Sequence, residues 1–140
     1  MLFRSTGTDG INWDSLVQLY FETDGVVGLG KEKNLKKIKE AFLNSYKVVT
    51  AWDGDKIIGA GRMLSDGVCY GWIHDFAILP DYQKKGIGRN IMSKLIHRNE
   101  SLLIRLTSAF GAEEFYYKLG FKKHKTTLAK YPGKSIYLED

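Results

Sequence analysis

Cysteine and proline are both scarce in this chain. A single cysteine, Cys69, cannot form an internal disulfide. It lies in an apolar segment and is expected to be a packed thiol rather than a nucleophile. Proline occurs only at Pro80 and Pro132, and each marks a turn. No apolar run approaches the ~18 residues of a membrane span, so no membrane partner is expected. The opening Met-Leu-Phe-Arg-Ser-Thr has no signal-type apolar stretch, and a cytoplasmic location is the expectation. Zinc spacings, RNA-binding signatures and helix-turn-helix patterns are missing too, and no repeat, low-complexity tract or linker interrupts the chain.

Acidic residues are outnumbered, 16 against 21 Lys and Arg, for a net charge of +5. Such a balance suits nucleic acid, an anionic membrane surface or an anionic small ligand. Lys31, Lys33, Lys36, Lys37 and Lys39 are expected on one solvated helix face, opposite Leu35, Ile38, Phe42 and Leu43. Lys84, Lys85, Arg89, Lys94 and Arg98 instead cluster around a glycine-rich stretch. Lys118, Lys122, Lys123 and Lys125 form a third group. With no accompanying signature, nucleic acid is not the expected partner.

The stretch that organises the chain is Gly71-Trp-Ile-His-Asp-Phe-Ala-Ile-Leu79, followed by Pro-Asp-Tyr and Gln83-Lys-Lys-Gly-Ile-Gly-Arg89. The first part is rich in β-branched and aromatic residues and reads as a buried strand. Ile87, Ile91, Met92, Leu95 and Ile96 recur at helical spacing, so the last part opens a helix. A glycine-rich turn feeding a helix N-terminus offers unpartnered N–H groups to an anion. Gly86 and Gly88 allow close approach, and Lys84, Lys85 and Arg89 add charge. The spacing fits neither the P-loop nor the dinucleotide fingerprint.

Gln83-x-x-Gly86-x-Gly88, after a strand and a proline turn, resembles the acyl-CoA pyrophosphate loop of the GNAT N-acetyltransferases. Downstream, Ala112-Glu-Glu-Phe115-Tyr116-Tyr-Lys-Leu-Gly120-Phe121 resembles that family's second signature, Ala-x-x-Phe-Tyr-x-x-x-Gly-Phe. The two motifs stand in the family's order and at its usual distance.

Read in order, the chain gives a short strand over 1–5 and a helix capped by Asn12 or Asp14. A glycine-rich loop over 23–30 and the lysine-rich helix follow. Strands over 46–52 and 56–64 flank Asp53-Gly54-Asp55, a strong hairpin signal. The central strand starts near Val68, and an apolar strand is expected over 102–106. A second helix spans 109–119 with Gly120 as its left-handed cap, and closing strands lie over 121–124 and 135–138. This order predicts an α/β fold. By resemblance it is a single-domain GNAT fold over residues 1–140, with a mixed central sheet of about six to seven strands flanked by about four helices. A chain of 140 residues can bury roughly 70% of the surface it exposes when unfolded.

The resemblance also implies chemistry. Acyl transfer to an amine needs a held carbonyl, a neutral amine and a proton for the departing thiolate. By position, the backbone amides of Phe76, Ala77 and Ile78 would hold the acyl arm. Gln83, Lys84, Lys85, Gly86, Ile87, Gly88 and Arg89 would hold the pyrophosphate of acetyl-CoA as co-substrate. Tyr116 matches the tyrosine that donates a proton to the CoA sulfur; the alternative is that it packs an amphipathic helix with Phe115 and Leu119. Tyr117 is its nearest competitor.

His74 matches one histidine of the base pair in arylalkylamine N-acetyltransferases, although Trp72 occupies the partner position. Neutral imidazole could take the amine's proton; a histidine hydrogen-bonded within a strand face is the alternative. Asp75 is expected to accept structural hydrogen bonds. Strict alternation would put Trp72, His74, Phe76 and Ile78 on one face. Ala109 stands where many family members carry an Asn on the pantetheine arm, leaving Thr107 or Ser108 for that contact.

The expectation is an acetyl-CoA-dependent N-acetyltransferase acting by direct transfer on a primary amine of a small molecule, or on a peptide amine. No metal is implied, and the protein would be a monomer or homodimer. Residues 21–30, Trp72 and the 131–135 connection are expected to line the acceptor side, with Glu22, Asp24 and Asp66 as acidic candidates. The alternatives are a non-catalytic acyl-CoA-binding module and a basic nucleic-acid-binding domain.

Overall fold

The computed structural model describes residues 2–23 and 29–139. Residues 24–28, including Asp24 and most of the glycine-rich loop, lie outside the described residues. The chain divides into two compact units, Met1–Thr107 and Ser108–Asp140.

In the first unit β1 (Leu2–Thr6) is followed by α1 (Trp13–Thr23) and α2 (Leu35–Leu43). Then come β2 (Lys47–Asp53), β3 (Lys56–Ser65) and β4 (Tyr70–Ile78). A 3-10 turn over Pro80–Tyr82, α3 (Ile87–Ile96) and β5 (Leu103–Leu106) complete it. The five strands lie in sequence order, antiparallel except for the parallel β4–β5 pair. The sheet is therefore mixed, as expected, but has five strands among the described residues rather than six or seven.

Local chemistry sets the helix starts. Asn12 Oδ1 accepts the Ser15 amide at 3.2 Å, and Asn34 Oδ1 accepts the Lys37 amide at 3.2 Å. Each satisfies a donor of the first helical turn. Because Asn34 caps α2, Lys31 and Lys33 precede the helix, and both ammonium groups lie over the Phe21 ring. Only Ile38 and Phe42 of α2 are buried; Leu35 and Leu43 are exposed. Nine residues make barely two and a half turns, so the buried stripe is narrow.

α1 and α2 cover one face of the sheet and α3 the other. Ile87, Ile91, Met92 and Leu95 of α3 are buried, each contributing about 2 kcal/mol by removal from water. α3 lies so close to β3 that a Cβ at Gly61 would stand 3.0 Å from Leu95 Cδ1. No helix among the described residues is long and apolar enough to cross a membrane.

The second unit holds α4 (Glu113–Tyr117). It is shorter than the expected 109–119, since Gly111 takes φ +81° and interrupts any helix begun at Ala109. Residues 121–124 and 135–138 do not form strands. The Ser135 hydroxyl accepts the Tyr137 amide at 3.1 Å and its carbonyl accepts the Leu138 amide at 3.3 Å. That local turn competes with strand pairing. Tyr137 stacks on Phe110 with centroids 4.6 Å apart. Cys69, in the turn before β4, is exposed rather than packed.

Candidate functional site

β4 is not a regular strand. Ala60 pairs with Ala77 but Arg62 pairs with His74, so one extra residue of β4 is fitted between these partners. The extra residue is Asp75, at φ +55°. Such a bulge reverses the alternation of faces. Trp72 and His74 lie opposite Leu64 and Arg62, on the side of α1 and α2. Phe76 and Ile78 approach Gly61 and Gly59 on the α3 side. The shared face expected for Trp72, His74, Phe76 and Ile78 is thus split between His74 and Phe76.

Asp75 accepts structural hydrogen bonds, as its position suggested, and the donor is a strand neighbour. Arg62 Nε donates to Asp75 Oδ2 at 2.7 Å, with both side chains largely buried. The Tyr20 hydroxyl donates to the Asp75 carbonyl at 2.5 Å. Burial pushes the Tyr20 phenol well above its ordinary pKa, aided by the Asp75 carboxylate, so it stays a donor. Arg62 and Tyr20 are neighbours of the bulge that the motifs did not reveal. A charge inside the otherwise apolar run Ile57–Leu64 was the one available signal.

β5 parts from β4 just before the bulge. The parallel ladder ends at Ile73–Leu106, and His74–Ile78 run on without a β5 partner. Leu79 donates its amide to the Ile58 carbonyl, on the β3 side, at 2.8 Å. Strand alternation then directs the Ala77 amide to β3 and the Phe76 and Ile78 amides to the parted side. Of the three predicted backbone positions, two face the gap.

The turn into α3 hangs from the same strand. Gln83 Nε2 donates to the Ile78 carbonyl at 3.0 Å, so Gln83 fixes the loop to the end of β4. Lys84 takes φ +62° and Gly86, the N-cap of α3, takes φ +83°. No side chain caps α3, and its first turn holds no acidic residue. The amides of Ile87, Gly88 and Arg89 precede the first residue that can bond within the helix, Asn90, whose amide donates to the Gly86 carbonyl at 3.2 Å. A Cβ built at Gly86 would meet nothing within 4 Å, so the space beside this N-cap is open. Lys84, Lys85 and Arg89 are exposed around it. The donor set and the open space fit a phosphate group.

His74 is half-buried, and its ring stacks on Trp72 with centroids 6.1 Å apart. Burial, and then the Arg62 guanidinium, lower its pKa below the ordinary histidine value, while Asp75 opposes them more weakly. The imidazole is therefore neutral near pH 7 and able to accept a proton. Further along this face the Arg105 guanidinium lies 5.6 Å from the Trp72 ring centroid and 5.8 Å from that of Tyr70. Asp66, an acidic candidate for the acceptor side, is engaged by its own turn through one oxygen: Oδ1 accepts the amides of Val68, Cys69 and Tyr70 at 2.8–3.1 Å. Glu22 is exposed at the end of α1.

In the second unit Tyr116 is held by the end of α4. Phe121 donates its amide to the Tyr116 carbonyl at 3.1 Å, and Gly120 donates to Tyr117 at 3.1 Å, with Gly120 at φ +94°. These two bonds make a Schellman motif, whose usual hydrophobic contact is here the Tyr116–Phe121 ring pair at 6.0 Å. The spacing Phe-Tyr-x-x-x-Gly-Phe is therefore a helix stop that locks its tyrosine. Phe115 packs edge-on against the same ring at 5.1 Å. Burial raises the Tyr116 pKa to about 12, while Tyr117 is exposed. Ser108 Oγ donates to the neighbouring Ala109 carbonyl at 2.7 Å.

Comparison with known proteins converges on one family. The description "Acetyltransferase (GNAT) domain" matches residues 21–131. An uncharacterised N-acetyltransferase, ycf52, of Porphyra purpurea is 30% identical over 84% of this chain and 69% of its own length. Its namesake from Pyropia yezoensis is 31% identical over 66% of this chain, which spans 57% of that relative's length. The structure of a GNAT-family acetyltransferase from Streptococcus pneumoniae superposes with a TM-score of 0.73, at 18% identity, covering 94% of this chain and all of that one.

Proposed function

Because the chain belongs to the GNAT acetyltransferase family, we propose that it transfers the acetyl group of acetyl-CoA directly to a primary amine of a small molecule in a ternary complex. The observation that carries this reading is one strand–turn–helix unit. It combines a β4 edge parted from β5 with an uncapped α3 N-terminus behind an open glycine turn.

Acetyl-CoA, when bound, supplies the activated thioester. Ile87, Gly88 and Arg89 present amides to its pyrophosphate, with Lys84, Lys85 and Arg89 adding charge and Gly86 keeping the approach clear. Gln83 ties that loop to the strand whose Phe76 and Ile78 amides would hold and polarise the acyl arm. His74, neutral near pH 7, takes the proton that the amine must lose. Tyr116 is assigned the proton needed by the departing sulfur, on its motif and on a phenol kept protonated by burial.

The test is thiol release from acetyl-CoA across a broad panel of amines, beside calorimetric titration of CoA. Turnover with any primary amine, together with 1:1 CoA binding that survives moderate salt, supports the reading. Tight CoA binding without turnover would leave a non-catalytic acyl-CoA module. Absence of CoA binding would overturn both.

A further inference from the structure

The α1 and α2 face of β4 carries a continuous row of planar groups with a cation inside it. Tyr70, Trp72 and His74 alternate along the strand before the bulge, so their side chains share a face. Arg105 is the register partner of Trp72 on the parallel β5, and its guanidinium lies over both the Trp72 and the Tyr70 rings. The His74 ring continues the row by stacking on Trp72 at an interplanar angle of 19°.

Charge on this row is one-sided. Arg62 is matched by Asp75 at 2.7 Å, and His74 is neutral near pH 7. The Asp66 carboxylate binds backbone amides of its own turn. No described carboxylate pairs with Arg105. Two aromatic rings hold the guanidinium in place while leaving its N–H donors unmatched by any anion of the described residues. A stacked guanidinium is pre-organised for a carboxylate, which it grips through two parallel hydrogen bonds.

We propose that Arg105 is a specificity determinant for the acceptor: the row Tyr70–Arg105–Trp72–His74 takes a primary alkylamine that carries an aromatic ring and a carboxylate. The ring packs along Trp72, the carboxylate meets Arg105, and the amine is left toward His74. This deepens the transferase reading above and rests on it, since it takes His74 as the base. A purely cationic amine finds no free carboxylate on this row and meets the Arg105 charge instead.

The probes are benzylamine and its 3- and 4-carboxylated forms, (aminomethyl)benzoates, whose amines are nearly alike in basicity. The better carboxylated probe should exceed benzylamine in kcat/KM by about tenfold, the energy of one good charge-assisted contact, with the gain mainly in KM. Arg105→Ala should bring it to within about twofold of benzylamine. Arg105→Gln serves if the alanine variant melts early, and Arg105→Lys should retain part of the gain. Equal use of the amines by the wild type, or a preference that survives loss of the guanidinium, would overturn the proposal. Calorimetry of the same benzoates on CoA-loaded protein separates this from failure of transfer itself. Binding weakened by Arg105→Ala without turnover upholds the acceptor site and rejects the enzyme. Undetectable or unchanged binding rejects the acceptor site.

Discussion

Arg62 on β3 and Asp75 on β4 form an ion pair across a bulge, with Nε and Oδ2 2.7 Å apart and the carboxylate side chain only 9% exposed. Asp75 is the bulged residue itself, at φ +55°, a conformation Asp tolerates better than most residues. The pair, with the Tyr20 hydroxyl on the Asp75 carbonyl, holds the point where β4 changes faces. It therefore positions both the His74 side chain and the Phe76 and Ile78 amides.

Removing one partner should be expensive. Arg62→Met takes the guanidinium away from a largely buried carboxylate and should cost up to about 3 kcal/mol of stability. Arg62→Met with Asp75→Asn should recover much of that loss, since Asn keeps the tolerance for positive φ. Urea denaturation of the single and double variants measures both. A single-variant loss well under 1 kcal/mol would rank the pair with ordinary surface bridges.

Gly86→Ala tests the turn before α3. The added methyl meets no protein atom within 4 Å, so its stability cost is the left-handed backbone alone, about 1 kcal/mol. It does fill part of the open space beside the α3 N-cap. CoA affinity should fall by roughly tenfold or more, about 1.4 kcal/mol or above, while the far-UV spectrum is retained. Gly86→Val should be more severe on both counts. Unchanged CoA affinity in a folded Gly86→Ala protein would remove the phosphate assignment.

Tyr116→Phe keeps the ring that the Schellman motif packs against Phe121, so the melting temperature and CoA affinity should barely move. Loss of the hydroxyl should lower kcat by roughly ten- to a thousandfold. The deficit should narrow with thioesters of low thiol pKa, whose leaving group needs no proton. Activity equal to wild type on the best amine would return Tyr116 to a packing role.

For His74 the sign is set by a lowered folded-state pKa. Burial first, and Arg62 second, disfavour the imidazolium. Activity that depends on the neutral base should therefore rise with pH through a midpoint below the ordinary 6.5. His74→Ala should remove that limb of the kcat/KM profile. Stability follows the same linkage: its contribution is complete above the unfolded pKa and is lost as pH falls toward the folded one. An unaltered profile in the variant would leave His74 structural and give the limb to the amine or to another group.

The sequence by itself determined the strand, glycine turn and helix from Gly71 to Ile96. These features are local: β-branched runs, a proline turn, glycine spacing and a 3.6-residue stripe act within a few residues of one another. The second motif was legible for the same reason, since Gly120 at φ +94° closes a helix end through bonds to residues three and five positions earlier. What only the tertiary structure decided is where β4 changes face. One inserted residue opposite Gly61 reverses every side chain beyond it, and it is set by pairing with β3, 13 residues away at Arg62–Asp75. Likewise Arg105 reads in sequence as a lone charge in an apolar strand, and only the parallel register of β5 brings it over Trp72 and Tyr70. Closing strands failed as an expectation because a strand is a statement about its neighbour, and at residues 135–138 the Ser135 hydroxyl and carbonyl bind the backbone locally instead.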